Sequence, residues 1–395
     1  MKHLKRMLGA FLVVLVTLIS TKSIFATEQS YTITINGAID GHTYEAYQIF
    51  KGDLSGDTLS NIEWGNGVSD AGKKALGDAV TKAESLKETA DAEAFAGAVA
   101  PYLQNPIAAS GNTITAPVAG YYLIKDRDGS LSATDKSYTS YILEVVKNVT
   151  VTPKADVPTV QKKVKDTNDT TGETSNWQDS ADHDINDNIP FQLTATLPSN
   201  YSSYNTYYLE FADTMSKGLT FDQASVKVTV DNVAVDASKY AITTSTEGFS
   251  LKFTDLKTAV SAAKAGSKVV VEYNATLNKN AIIGSLGNPN DVKLIFSNDP
   301  NYTGDGSNTP TGETPKDRVI VFTYQVIVDK VDEKKAPLSG AEFKLYKKLQ
   351  DGSEKEVALD TNQSTETHFA FKGLDDGDYI LKETKTESSK MKLAS

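Results

Sequence analysis

The chain has 395 residues, 40 Lys and Arg against 51 Asp and Glu for a formal charge of −11, 39% hydrophobic residues and no cysteine. That length suggests two or three domains, and the composition is globular, with enough apolar material to bury real cores. Zero cysteine excludes disulfides, Cys-ligated zinc, iron–sulfur clusters and thiol catalysis, and a metal cage or Ser/His/Asp hydrolase would have to draw on His3, His42, His183 and His368.

The first 26 residues have a basic start (Lys2, Lys5, Arg6), an apolar run from Leu8 to Ile19 and a small residue at Ala26. This is the pattern of a secretory signal peptide cut after Ala26, and its apolar run falls short of the roughly 20 residues that span a bilayer. Its removal takes away four basic residues and no acid, shifting the charge from −11 to −15. An acidic exported chain has no electrostatic reason to bind nucleic acid. Export without cysteine means that covalent reinforcement, if any, comes from other side chains.

In chain order, YTITING alternates as a half-buried strand and HTYEAYQIF follows as a second. Between about Ser69 and Leu103 the composition turns to Ala, Lys, Glu and Asp, with Leu76, Val80, Ala83 and Leu86 at helical spacing. APVAGYYLIKDRDGS and SYILEVVKNVTVTP return to strand, so residues 27–157 read as a mostly β domain with a helical insertion. The junction TPKADVP leads into 158–325, where PFQLTATLP, TYYLEFAD, SVKVTVDNVAV, FSLKFTD, KVVVEYNATL, DVKLIFSN and DRVIVFTYQVIVDK alternate with polar turns. One helical stretch, LKTAVSAAKAG, interrupts them, and the whole predicts a β-sandwich. Residues 326–395 hold about four strands and a patternless tail, too few to cover the edges of a sandwich, so the chain is expected to end inside a domain.

The motifs DKVDE, PLSGAEFKLYK and FKGLDDGDYILKET in the last unit, with ADTMSKGLTF and LIFSNDPN in the middle one, resemble the backbone pilins of Gram-positive bacteria, the major subunits of sortase-assembled pili. The resemblance implies a mainly β fold of tandem immunoglobulin-like and collagen-adhesin B-type (Cna B-type) sandwiches. It also implies a structural subunit rather than an enzyme, whose sole chemistry is self-catalysed isopeptide formation, with no cofactor and no metal. Its implied partners are neighbouring pilin subunits, a pilin-specific sortase and host surface or matrix proteins, at a cell-wall-anchored surface pilus.

The family's functional residues carry over in three sets. Lys154 in VTVTPKADVP resembles the lysine whose amine joins one subunit to the next, although Thr152 and Ala155 stand where the usual motif has Tyr and Asn. Lys162, Asn298 and Asp213 match the lysine, asparagine and carboxyl group of an intramolecular isopeptide bond, with Asn301 as fallback partner and Glu210 as rival acid. Alternation puts Lys162 with Val160 and Val164 on one strand face and Lys163 on the other. In the last unit Lys330 and Glu383 match the isopeptide lysine and catalytic glutamate, with the partner asparagine expected beyond Ser395. With no sorting signal in view, the chain reads as a fragment, an engineered piece or a prematurely terminated allele. The alternative role is an accessory or tip pilin that adheres to host matrix. DSADHDINDN is read as a solvated approach to a strand starting at Pro190 rather than a calcium loop, and Trp64 and Trp177 as core or loop anchors.

Overall fold

The structure, a computed structural model, describes residues 29–36, 42–87, 89–130, 140–151, 156–300, 302, 304 and 308–385. The leader at 1–26, Lys154 and Asn301 lie outside them.

The first block runs β1 (Tyr31–Ile35), β2 (Tyr44–Ser55), β3 (Thr58–Trp64), α1 (Asp70–Leu76), α2 (Ala79–Ser85), α3 (Thr89–Val99), β4 (Ile107–Ala108), β5 (Thr113–Ala116), β6 (Gly120–Asp126), β7 (Ser140–Val145) and β8 (Val149–Val151). It forms two sheets, ordered β5-β1-β8 and β3-β2-β6-β7, with β4 beside β2. Tyr31, Ile33 and Ile35 point inward as the alternation predicts. The helical insertion breaks into three, and polar side chains cap the first two starts: Ser69 accepts from the Gly72 N–H and Asp78 from the Thr81 N–H. Trp64 anchors the first break, donating from Nε1 to the Gly77 carbonyl at 2.9 Å while its ring packs on Phe50 and Phe95.

The middle block holds β9 (Thr159–Val164), β10 (Ser180–Asp182), β11 (Asn188–Thr196), β12 (Leu209–Met215), β13 (Leu219–Val230), β14 (Val233–Ala234), β15 (Ala241–Ser245), β16 (Gly248–Phe253), β17 (Lys268–Leu277), β18 (Asn288–Ser297), β19 (Thr311–Glu313) and β20 (Asp317–Phe322). One sheet is ordered β14-β13-β17-β11-β9; the other is β10-β20-β18-β12-β16-β15, with β19 on β18. Their inward faces interlock into a single core that includes Phe191, Leu193, Phe211, Phe253, Val271 and Phe296. The helix predicted from LKTAVSAAKAG shrinks to one turn, α4 (Leu256–Ala259), capped by Asp255.

The solvated reading of DSADHDINDN is overturned. Ala181, His183 and Asp184 are buried there, and the following strand begins at Asn188 rather than Pro190. What covers this stretch is the last block, built from β21 (Tyr324–Asp329), β22 (Glu342–Lys348), β23 (Glu354–Val357), β24 (His368–Leu374) and β25 (Tyr379–Lys385), as a β21-β24 pair and a β23-β22-β25 sheet around Leu345, Phe369, Phe371 and Leu374. The ammonium of buried Lys347 donates to Asp169 at 2.8 Å, to Asp184 at 3.1 Å and to Asp375. Backbone bonds from Asp375 N–H to Asp184 and from Ile185 N–H to the Gly373 carbonyl, both 3.0 Å, extend the same joint.

Candidate functional site

β9 delivers Lys162 to the interior of the middle sandwich. Its neighbour across the ladder is Leu193, and its own N–H is accepted by Asp317 of β20 at 2.6 Å, which fixes the strand end against the opposite sheet. The side chain is fully buried, while Lys163 turns outward to Asp179. Lys162 Nζ meets the Asp213 carboxylate and the Asn290 side-chain carbonyl, and lies 3.3 Å from the Asp291 backbone carbonyl. Phe191 and Tyr273 flank it, with ring centroids 5.8 and 5.7 Å away.

Asp213 sits on β12 opposite Val292 of β18 and Phe249 of β16, and Asn290 sits on β18 opposite Met215. Tyr273 of β17 donates from its hydroxyl to Asp213 Oδ2 at 3.0 Å and accepts from Asn290 Nδ2 at 2.9 Å. Lys162 and Tyr273 thus come from one sheet, and Asp213 and Asn290 from the other. Four side chains close a ring of hydrogen bonds across the sandwich.

Burial drives the electrostatics. It pulls the Lys162 ammonium below its ordinary range, against the opposing pull of Asp213, and it pushes the Asp213 carboxyl up, against the opposing pull of Lys162. Both shifts favour the neutral pair: an amine with a free lone pair beside a protonated acid. Asp213 Oδ1 is buried with no donor among the described residues, which also disfavours the carboxylate. The nearby Asp291 behaves oppositely, because Arg318 grips it at 2.6 and 2.9 Å and holds it below the usual carboxylate range.

The asparagine predicted from sequence is not the one at the lysine. Asn298 lies just past the C-terminal end of β18, eight residues from Asn290 and so roughly 27 Å further along an extended chain. The even spacing sends both side chains to the same face, so alternation alone does not separate them. The strand itself starts at Asn288, three residues before the DVKLIFSN run, because Asn288 bonds to the Ile282 N–H and to the Val321 carbonyl and draws the Asn-Pro-Asn segment into the sheet. The rival acid Glu210 is half-buried and accepts from the Tyr208 hydroxyl, on the other face of β12 from Asp213. In the last block Lys330 Nζ lies 3.1 Å from Glu383 and 6.0 Å from the Phe343 ring centroid, each acid and amine about a quarter exposed.

Residues 185–300 match the family described as Gram-positive pilin backbone subunit 2, Cna-B-like domain, and residues 324–390 match the SpaA prealbumin-like fold domain. Over 213 residues the chain is 32% identical to the trypsin-resistant surface T6 protein of Streptococcus pyogenes serotype M6, a match that covers 49% of this chain and 37% of that relative. The chain therefore spans little more than a third of the curated relative it matches. The solved T6 backbone pilin of serotype M6 Streptococcus pyogenes shares its fold, with a TM-score of 0.55 at 22% identity over 90% of this chain and 76% of that one. The likeness to the Cna-B-like domain of Gram-positive pilin backbones is thus carried by the middle of this chain, and that to the SpaA prealbumin-like fold by its last block.

Proposed function

We propose that the chain is a structural backbone subunit of a covalently assembled surface pilus, stiffened by an isopeptide bond between Lys162 and Asn290 and joined by a sortase to the next subunit through Lys154. The observation that carries this reading is the buried Lys162, Asp213 and Asn290 cluster spanning two sheets of a domain of the pilin-backbone family. The neutral amine attacks Cγ of Asn290 with the acid form of Asp213 hydrogen-bonded beside it, the Nζ–Cγ bond forms, the Cγ–Nδ2 bond breaks, and ammonia leaves with one proton gained for the one that Nζ gives up. The reaction occurs once per chain, so the protein modifies itself and turns over no substrate. Domain boundaries near residues 157 and 325, export by the N-terminal leader and attachment to the cell wall belong to the same proposal.

The polymer role is tested in a Gram-positive host expressing the gene from its own locus with its pilin sortase. Wall extracts boiled in detergent should give a ladder in which every rung contains this subunit, and Lys154→Ala should collapse it to the shortest species. A ladder indifferent to Lys154→Ala, or one subunit per polymer, would sink the backbone role and favour the accessory or tip pilin that adheres to host matrix, which shares the same folds.

A further inference from the structure

Tyr273 comes from the sheet that carries Lys162, yet its hydroxyl bonds to the two groups supplied by the other sheet. Its ring is fixed on three sides: stacked on Phe191 at 5.3 Å and met edge-on by Phe221 at 5.5 Å and Phe249 at 5.0 Å. A phenylalanine would fill that space as well. The hydroxyl is therefore a buried polar group that packing does not require, and its two bonds to Asp213 and Asn290 are what offset its desolvation.

Resting on the Lys162–Asn290 reaction proposed above, we propose that Tyr273 is a catalytic residue of it: the hydroxyl holds the Asn290 amide with its carbonyl toward Lys162, and passes a proton to the nitrogen that departs. By accepting from Nδ2 the hydroxyl selects one of the two amide orientations, the one that presents Oδ1 to the lysine. The proton balance then closes around the ring. Lys162 enters as a neutral amine and Asp213 as the acid. In the resting ring Tyr273 donates to Asp213 and accepts from Nδ2; as Nζ bonds to Cγ, Nδ2 turns pyramidal and gains an acceptor lone pair, so both bonds reverse: Tyr273 gives its hydroxyl proton to Nδ2, Asp213 replaces it with its own, and Nζ gives up one proton to Asp213. The Cγ–Nδ2 bond breaks with its electron pair on nitrogen, ammonia leaves, and Asp213 and Tyr273 end in the protonation states in which they began. Burial and the neighbouring Asp213 hold the phenol proton on far above its ordinary range, so the hydroxyl serves as a shuttle rather than as a standing anion.

The test follows the intact mass of the full chain against time after cell-free synthesis. The unmodified sequence should lose ammonia, D213A should not, and Y273F should do so about 10²-fold more slowly, the usual scale of a lost proton-transfer group. Near-UV circular dichroism on Y273F checks that the aromatic cluster is intact. A second variant carries 3,5-difluorotyrosine at position 273, which keeps ring and hydroxyl but changes the acidity of the proton; its rate should differ from that of tyrosine. Ammonia loss in the unmodified chain with an equally fast Y273F would overturn the role of Tyr273 alone, as would a difluorotyrosine rate identical to that of tyrosine. No ammonia loss in the unmodified chain would overturn both this role and the reaction on which it rests.

Discussion

Burying Lys162 beside Asp213 would be costly if both stayed charged, since a pair taken out of water loses more hydration than mutual attraction restores unless its bonding is complete. Conversion to an amide removes the ionisable amine of Lys162 and leaves a neutral link, so the same burial that primes the reaction is relieved by it. The cluster also depends on the backbone of β12, and here Gly248 matters. Its φ is +138°, and a Cβ there would sit 2.2 Å from the Asp213 carbonyl oxygen. Gly248→Ala is expected to cost roughly 1–3 kcal/mol, the scale of a strained backbone position, and to slow cross-linking by shifting Asp213; thermal melting with a mass time course checks both. The roles of Lys162 and Asp213 rest on the family resemblance, but their burial was legible, because alternation and aromatic neighbours report it directly in sequence. Asn290 was not, because choosing among inward-facing asparagines needs the register between β18 and β12, which is set by tertiary packing.

At the scale of elements, the fold class and most strands follow from periodicity, and the misses share one cause. The Asn-Pro-Asn start of β18 and the acidic run before β11 both look like turn or solvent chemistry taken alone. Each is recruited by a partner distant in sequence: β18 by Val321 of β20, the acidic run by Lys347 of β22. That second joint has a pH signature. Burial pushes the Asp375 carboxyl up to about 7 despite Lys347, while the bonds from Asp169 and Asp375 raise Lys347 against its own burial. A carboxyl raised in the folded state holds more protons there than when unfolded, so its contribution to stability is complete below the ordinary carboxylate range and is lost as pH rises to about 7 and beyond. Asp182, also raised by burial and by Asp166, acts with the same sign. Calorimetry should therefore show the last block melting at lower temperature at pH 8 than at pH 5, and Asp375→Asn should flatten that dependence. An unchanged slope in Asp375→Asn would assign it to Asp182 and refute the account of the joint.

For the whole molecule, absence of cysteine and a covalent cross-link are compatible because an amide needs no oxidant. Lys162 and Asn290 are 128 residues apart. Closing a loop of that size should stabilise the domain by about 5 kcal/mol if chain entropy acts as it does for disulfides. It also withholds from extension a segment that would otherwise stretch to roughly 450 Å. Two joints set the blocks in series: Asn205 Nδ2 donates to the Gly97 carbonyl of α3 at 2.8 Å between the first and middle blocks, and Lys347 ties the middle to the last. Tension would thus pass along the chain through the first strand and the far sheet of the middle sandwich, where the proposed bond lies.

The most direct measurement is the intact mass of the full chain followed by proteolytic mapping. A mass about 17 Da below the sequence value is expected, the loss of one ammonia. The map should show one linked pair of peptides, containing Lys162 and Asn290, that vanishes in Asp213→Ala and Asn290→Ala and persists in Asn298→Ala. A mass equal to the sequence value, or Lys162 found joined to Asn298, would contradict it.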